Sequence, residues 1–116
     1  MAWTTGTDPI PESRAALERL RSRIAGRFLE PGDADFDEAR AVWNGMIDCV
    51  PYAIVEAGEL ADVPLVLETA RSTRLPLAVR GGGHSVAGLG TIDDGIVLDL
   101  GALREVTVDA EHHLVT

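Results

Sequence analysis

At 116 residues the chain has the size of one small domain or of a portion of a larger one, and its 46% hydrophobic content excludes wholesale disorder. The formal charge is −9 and all ten cations are arginine, which argues against nucleic acid or an anionic membrane surface as a partner. A single cysteine, Cys49, excludes an internal disulfide; with no apolar run long enough to span a membrane and no leader pattern at the N-terminus, a cytoplasmic protein is expected.

Residues 1–10 read as a loose polar lead. Ala16, Leu17, Leu20 and Ile24 share one helical stripe, predicting a helix over 11–25 with Gly26 as its stop. Glu30-Pro31-Gly32-Asp33 reads as a turn. Phe36, Ala39, Val42 and Trp43 recur at helical spacing, predicting a second helix that ends near Asn44-Gly45. Tyr52-Ala53-Ile54-Val55 reads as a strand, started by Pro51 and stopped by Ala57-Gly58.

Asp62 is placed to cap a helix reaching Thr73, with Val63, Val66, Leu67 and Ala70 on its buried face and Pro64 tolerated in its first turn. Leu77-Ala78-Val79 is the next strand, so that strand, helix and strand make a βαβ unit with parallel strands. A third strand is expected over 96–100, a fourth over 106–109 and a fifth over 112–116, the last two joined by a turn at Ala110-Glu111. The expected fold class is α+β: a helical segment over 1–45, then a βαβ unit and further strands over 46–116. The final strand run has nothing to cover its edge, which reads as a chain cut short.

Between the second and third of these strands lies Arg80-Gly81-Gly82-Gly83-His84-Ser85-Val86-Ala87-Gly88-Leu89-Gly90. Three consecutive glycines remove the Cβ atoms from a turn, so backbone N–H groups can close around an anion. With an arginine before them and an imidazole and a hydroxyl after, the stretch reads as a diphosphate cradle with a nucleophile at its lip. The plainer reading is an inter-strand loop whose glycines serve turns alone. The loop is not a Rossmann fingerprint, because Val86 occupies the third glycine position and no helix follows. Nor is it a Walker A loop, since the chain has no lysine. An anion here would be held by loop amides, with Arg80 as a further candidate.

Other candidates carry less. Cys49 precedes the first long strand and reads as a packed, unreactive thiol. His112 and His113 are adjacent on an expected strand, where they would point to opposite faces and not chelate one ion. No metal site is expected. Asp93-Asp94-Gly95 is first a turn signal.

Trp43-Asn44-Gly45-Met46-Ile47-Asp48, Ala61-Asp62-Val63, the run from Leu75 through Arg80-Gly81-Gly82-Gly83-His84-Ser85, and Ile96-Val97-Leu98-Asp99-Leu100 resemble, in order and spacing, one family. It is the FAD-linked oxidases of the vanillyl-alcohol oxidase superfamily, in the berberine-bridge-enzyme-like branch, with the resemblance running over 31–116. The resemblance implies that 46–116 is the first subdomain of a PCMH-type FAD-binding domain. It also implies that the loop from Arg80 to Ser85 wraps the FAD diphosphate and ribityl region through backbone amides, with Gly88 continuing around the cofactor. His84 matches the histidine that, in such proteins, is bonded covalently to the methyl group on the flavin's benzenoid ring. A neutral imidazole nitrogen is a nucleophile suited to that bond. One departure stands out: many members of that family have a basic residue near Val50 or Glu56, where this chain has neutral and acidic side chains.

The first functional expectation is therefore the FAD-binding portion of a flavin-dependent oxidoreductase, whose complete form moves a hydride from a small-molecule substrate to flavin and then to oxygen or another acceptor. The alternative is a truncated, non-catalytic fragment or nucleotide-binding module without turnover of its own. A third, an anion-binding interaction domain unrelated to flavin, requires the flanking matches to be accidental.

Overall fold

The computed structural model describes residues 9–116, so most of the expected polar lead lies outside the described residues. In chain order it forms α1 (Pro11–Arg23), β1 (Arg27–Leu29), α2 (Phe36–Arg40), β2 (Ala53–Glu56), α3 (Asp62–Thr73), β3 (Leu77–Arg80), β4 (Ile96–Asp99), β5 (Val108–Asp109) and β6 (Leu114–Val115). The first four strands make one sheet in the order β1-β2-β4-β3, and β5 and β6 form a separate hairpin. The fold is mixed helix and sheet, in line with the α+β expectation. No described helix is long and apolar enough to cross a membrane.

Cross-strand rows explain the packing. Leu29, Ile54, Val97 and Ala78 stand side by side across all four strands. They form one apolar cluster with Phe36 of α2. The alternate positions Val55 and Leu98, with Ala53 and Ile96, face the opposite layer, where Leu17 and Leu20 of α1 and Val66 and Ala70 of α3 cover them. Both faces of β2 and β4 are thus buried, as near-continuous aliphatic strands of a parallel sheet require.

The expected parallel direction of β2 and β3 holds, with β4 inserted between them. Other expectations change. Arg27–Leu29 lies within the segment expected to be helical and is a strand, antiparallel to β2. Three residues are too few to show an alternation, yet burial of Phe28 and Leu29 holds them in the sheet. α2 stops at Arg40, short of the expected Asn44-Gly45, since Ala41 is extended. The last two strands shrink to Val108–Asp109 and Leu114–Val115, leaving His112 and His113 in the turn between them.

Gly26 does not end α1, which closes at Ile24 in an extended conformation. Its role is close approach: a Cβ on Gly26 would lie 1.9 Å from the Glu56 carbonyl oxygen and 2.5 Å from the Gly58 nitrogen. Asp62 likewise does not cap its own helix. Its carboxylate accepts backbone N–H groups from Ala25 at 2.8 Å, Gly26 at 3.0 Å and Gly58 at 2.8 Å, clamping the turn before β1 to the turn after β2. Burial pushes this carboxyl up, but the backbone donors of Ala25, Gly58, Gly26 and Glu59 outweigh it and hold it below its ordinary value.

Two outcomes follow from the clamp. Asp62→Ala takes the shared acceptor from three part-buried backbone N–H groups and should cost about 2–3 kcal/mol in urea unfolding. The folded carboxyl titrates below the unfolded value of about 3.9, so its contribution is complete above that pH and lost as pH falls through the folded value. The stability advantage of the native chain over Asp62→Asn should therefore shrink from about pH 5 downward.

Candidate functional site

β2, β4 and β3 run parallel, so their C-terminal ends lie along one edge of the sheet. One step beyond the apolar row, on the same face, the next row is charged: Arg27, Glu56, Asp99 and Arg80. Glu56 and Asp99 are direct neighbours, a repulsive arrangement that each resolves with an arginine on its other side. Arg27 forks onto Glu56, with Nε to Oε2 at 2.7 Å. The hydrogen bonds of Glu56 and Asp35 hold its guanidinium above its ordinary value. Arg80 Nε donates to Asp99 Oδ2 at 2.8 Å, in a pair with little solvent contact.

The loop of interest leaves the sheet at this row. Gly83 and Gly88 have φ of +73° and +77°, which only glycine adopts without strain. At Gly88 a Cβ would also meet the Ile47 side chain at 3.0 Å. Ser85 is turned inward: its carbonyl accepts from Gly88 N and its hydroxyl from Leu89 N at 3.2 Å. The loop is braced from outside by the segment after α2. Trp43 N donates to the Gly83 carbonyl at 2.9 Å, and Asn44 Nδ2 to the Val86 carbonyl at 2.9 Å.

Among the described residues, the backbone N–H groups of Gly82, Gly83, His84 and Ser85 donate no hydrogen bond. Four successive free donors are the equipment of an anion cradle. Gly81, Gly82, Asp99, Gly101 and Arg104 line an open groove of about 540 Å³ beside them. A Cβ on Gly81 would meet nothing within 4 Å, so the backbone there is open to a ligand. The His84 imidazole is exposed, with its ring centroid 5.9 Å from that of Trp43.

The structure thus gathers Gly81, Gly82, Gly83, His84, Ser85 and Gly88 into one loop. Arg80 stands differently: it is 5% exposed, and Nη2 donates to the Ala39 carbonyl at 2.6 Å, at the end of α2. Its Nη1 is buried without a protein partner. Asp99, Asn44, Trp43 and the Ala39 carbonyl brace the loop, a role the sequence reading assigned to none of them, although Trp43, Asn44 and Asp99 lie in the motifs that carry the resemblance. Their signal was present: Val79-Arg80-Gly81 and Leu98-Asp99-Leu100-Gly101 end two aliphatic runs in opposite charges, with a glycine one residue after Arg80 and two after Asp99.

The remaining candidates lie elsewhere. Cys49 is half-buried, and its thiol is pushed up by burial, with Asp93 and Asp48 adding to the effect, so thiolate chemistry is disfavoured. His112 Nδ1 sits 2.8 Å from Asp109 Oδ2. That contact, before the backbone bond from His112, holds the Asp109 carboxyl below its ordinary value.

Comparison with known proteins agrees with this geometry. Residues 51–116 match the family described as an FAD binding domain. The FAD-linked oxidoreductase hasG of Aspergillus fumigatus is 39% identical over 104 residues, covering 89% of this chain and 22% of that protein. The (R)-6-hydroxynicotine oxidase of Paenarthrobacter nicotinovorans is 34% identical over 86 residues, covering 74% of this chain and 19% of that protein. Among solved structures, 6-hydroxy-D-nicotine oxidase from Arthrobacter nicotinovorans superposes with a TM-score of 0.71 at 34% identity, covering 74% of this chain and 19% of that one. Wild-type BBE-like 1 of Physcomitrella patens gives 0.72 at 25% identity, over 82% and 21%. The chain spans about a fifth of the length of the curated relatives it matches. A glycine loop with free amides at the carboxyl edge of this sheet, on a sequence that matches over more than half its length, makes the chain a member of the FAD-binding-domain family of the FAD-linked oxidoreductases.

Proposed function

We propose that this chain forms the diphosphate-cradling part of a flavin-dependent oxidoreductase, with Gly81, Gly82, Gly83, His84, Ser85 and Gly88 around FAD. The observation that carries the reading is the run of four unpaired N–H groups from Gly82 to Ser85. They offer oriented donors to a pyrophosphate without a helix terminus or a lysine. The overall charge of −9 does not oppose this, because both carboxylates of the adjacent row are already paired with Arg27 and Arg80. FAD when bound supplies a two-electron acceptor, and the protein holds and tunes it.

His84 is the tether in this reading. No hydrogen bond engages its ring nitrogens among the described residues, so a nitrogen is free to bond the flavin methyl carbon, and Trp43 holds the ring from one side. The hydride donor is a small-molecule substrate, and the electrons pass to oxygen or another acceptor; the groups that bind that substrate belong to the parts of the relatives this chain does not span. The lone, half-buried Cys49 fits a cytoplasmic setting, and the acidic surface fits neither nucleic acid nor membrane as partner.

A second reading, a nucleotide-binding module without turnover, is favoured by one observation: the groove at Gly81 and Gly82 is open, and Trp43, Met46, Val86 and Leu89 stand exposed around the loop. Half a site binds less tightly than a closed one. The two readings separate on covalent chemistry. Protein expressed with FAD, then denatured, should remain yellow and yield a flavin-bearing peptide spanning His84. His84→Ala should abolish that attachment while FAD still raises the melting temperature. A colourless protein that FAD nevertheless stabilises supports the module, and loss of all FAD binding in His84→Ala assigns the histidine a structural role.

A further inference from the structure

We propose that Arg80 is a positioning residue that sets the shape of the cradle through Asp99 and the end of α2, without touching the cofactor; this rests on the FAD reading above. One side-chain pair joins three backbone segments. Arg80 Nε donates to Asp99 Oδ2 at 2.8 Å, and Nη2 to the Ala39 carbonyl at 2.6 Å. The other Asp99 oxygen accepts from Gly101 N at 2.7 Å, and the Arg80 carbonyl accepts from Leu100 N at 2.8 Å. The glycine turns after β3 and after β4, which line the same groove, are therefore fixed to each other.

The loop also rests on the arginine stem. A Cβ at Gly83 would lie 3.5 Å from Arg80 Cδ, and one at Gly90 3.4 Å from Arg80 Cγ. The loop thus meets the stem near its start and again near its end, with His84 held between. Through Ala39 the same guanidinium holds the end of α2, from which the chain runs to Trp43 and its bond to Gly83. Lysine does not replace this fork: it carries a point charge and lacks the planar, divergent donors that reach two acceptors at fixed angles.

A direct anion-ligand role for Arg80 makes the opposite forecast for one substitution. Asp99→Asn removes a carboxylate from beside the ligand and frees the guanidinium, so it would tighten FAD binding if Arg80 held the diphosphate. If Arg80 positions the loop, losing its charged partner loosens the cradle and weakens binding.

The test uses the full chain with Trp3→Phe, leaving Trp43 as the only tryptophan, and compares it with the same chain carrying Arg80→Lys or Asp99→Asn. Three readouts are taken: amide exchange at Trp43, Gly88 and Thr91; the emission maximum of Trp43, which reports its packing against the His84 ring; and FAD affinity by titration. Both variants are expected to keep the exchange protection of β2 and β4. In both, the three loop-linked amides should exchange about tenfold faster or more, and FAD affinity should fall about tenfold, the scale of one charge-assisted hydrogen bond. The Trp43 emission maximum should move as the ring contact is lost. Equal or tighter FAD binding in Asp99→Asn, or unchanged exchange and emission in both variants, overturns the proposal. Loss of β2 and β4 protection in both also overturns it, because the pair would then support the whole sheet. If the parent chain fails to bind FAD, the cofactor reading falls, while exchange and emission still decide the positioning role.

Discussion

The end of the apolar sheet is marked by a change of chemistry in one row. Leu29, Ile54, Val97 and Ala78 give way, one step on, to Arg27, Glu56, Asp99 and Arg80 on the same face. Two carboxylates side by side would repel, and burial would magnify the repulsion. Each is instead matched by an arginine on its outer side, one pair half in solvent and the other nearly enclosed. Within the row the two positive and two negative charges balance, so the strand ends carry no unpaired carboxylate.

The loop that departs from this row owes its shape to what surrounds it. Its two left-handed glycines, the inward-turned Ser85 and the braces from Trp43 and Asn44 fix its course. What these contacts leave over is the useful part: a run of free amides and an exposed imidazole. The same logic operates at the opposite layer, where Asp62 gathers three amides that no helix or strand can pair. A carboxylate surrounded by N–H donors holds the fold there; N–H donors without a carboxylate mark the proposed site here.

Much of this was legible in the residues. The glycine loop, the aliphatic strands around it and α3 stand where the pattern put them, because long periodic runs and consecutive glycines leave few alternatives. What escaped was decided by distant contacts. Arg27–Leu29 became a strand because β2 was there to pair with it, and β4 entered between β2 and β3 because parallel order is not written locally. Gly26 and Asp62 looked like a helix stop and a helix cap, the common local uses of those residues. Their actual partners, Glu56, Gly58 and Ala25, come from segments brought together only by folding. The contacts of Arg80 with Asp99 and Ala39 were likewise not legible, because they depend on β4 and α2, neither adjacent in sequence.

The proposed recognition of the cofactor's diphosphate by main-chain nitrogens from Gly82 to Ser85 can be read residue by residue, in an amide NMR titration of the chain with ADP, with FAD and with riboflavin, which has no phosphate. ADP and FAD should shift the Gly82, Gly83, His84 and Ser85 resonances while riboflavin leaves them in place. Shifts at these amides with riboflavin and none with ADP would contradict it.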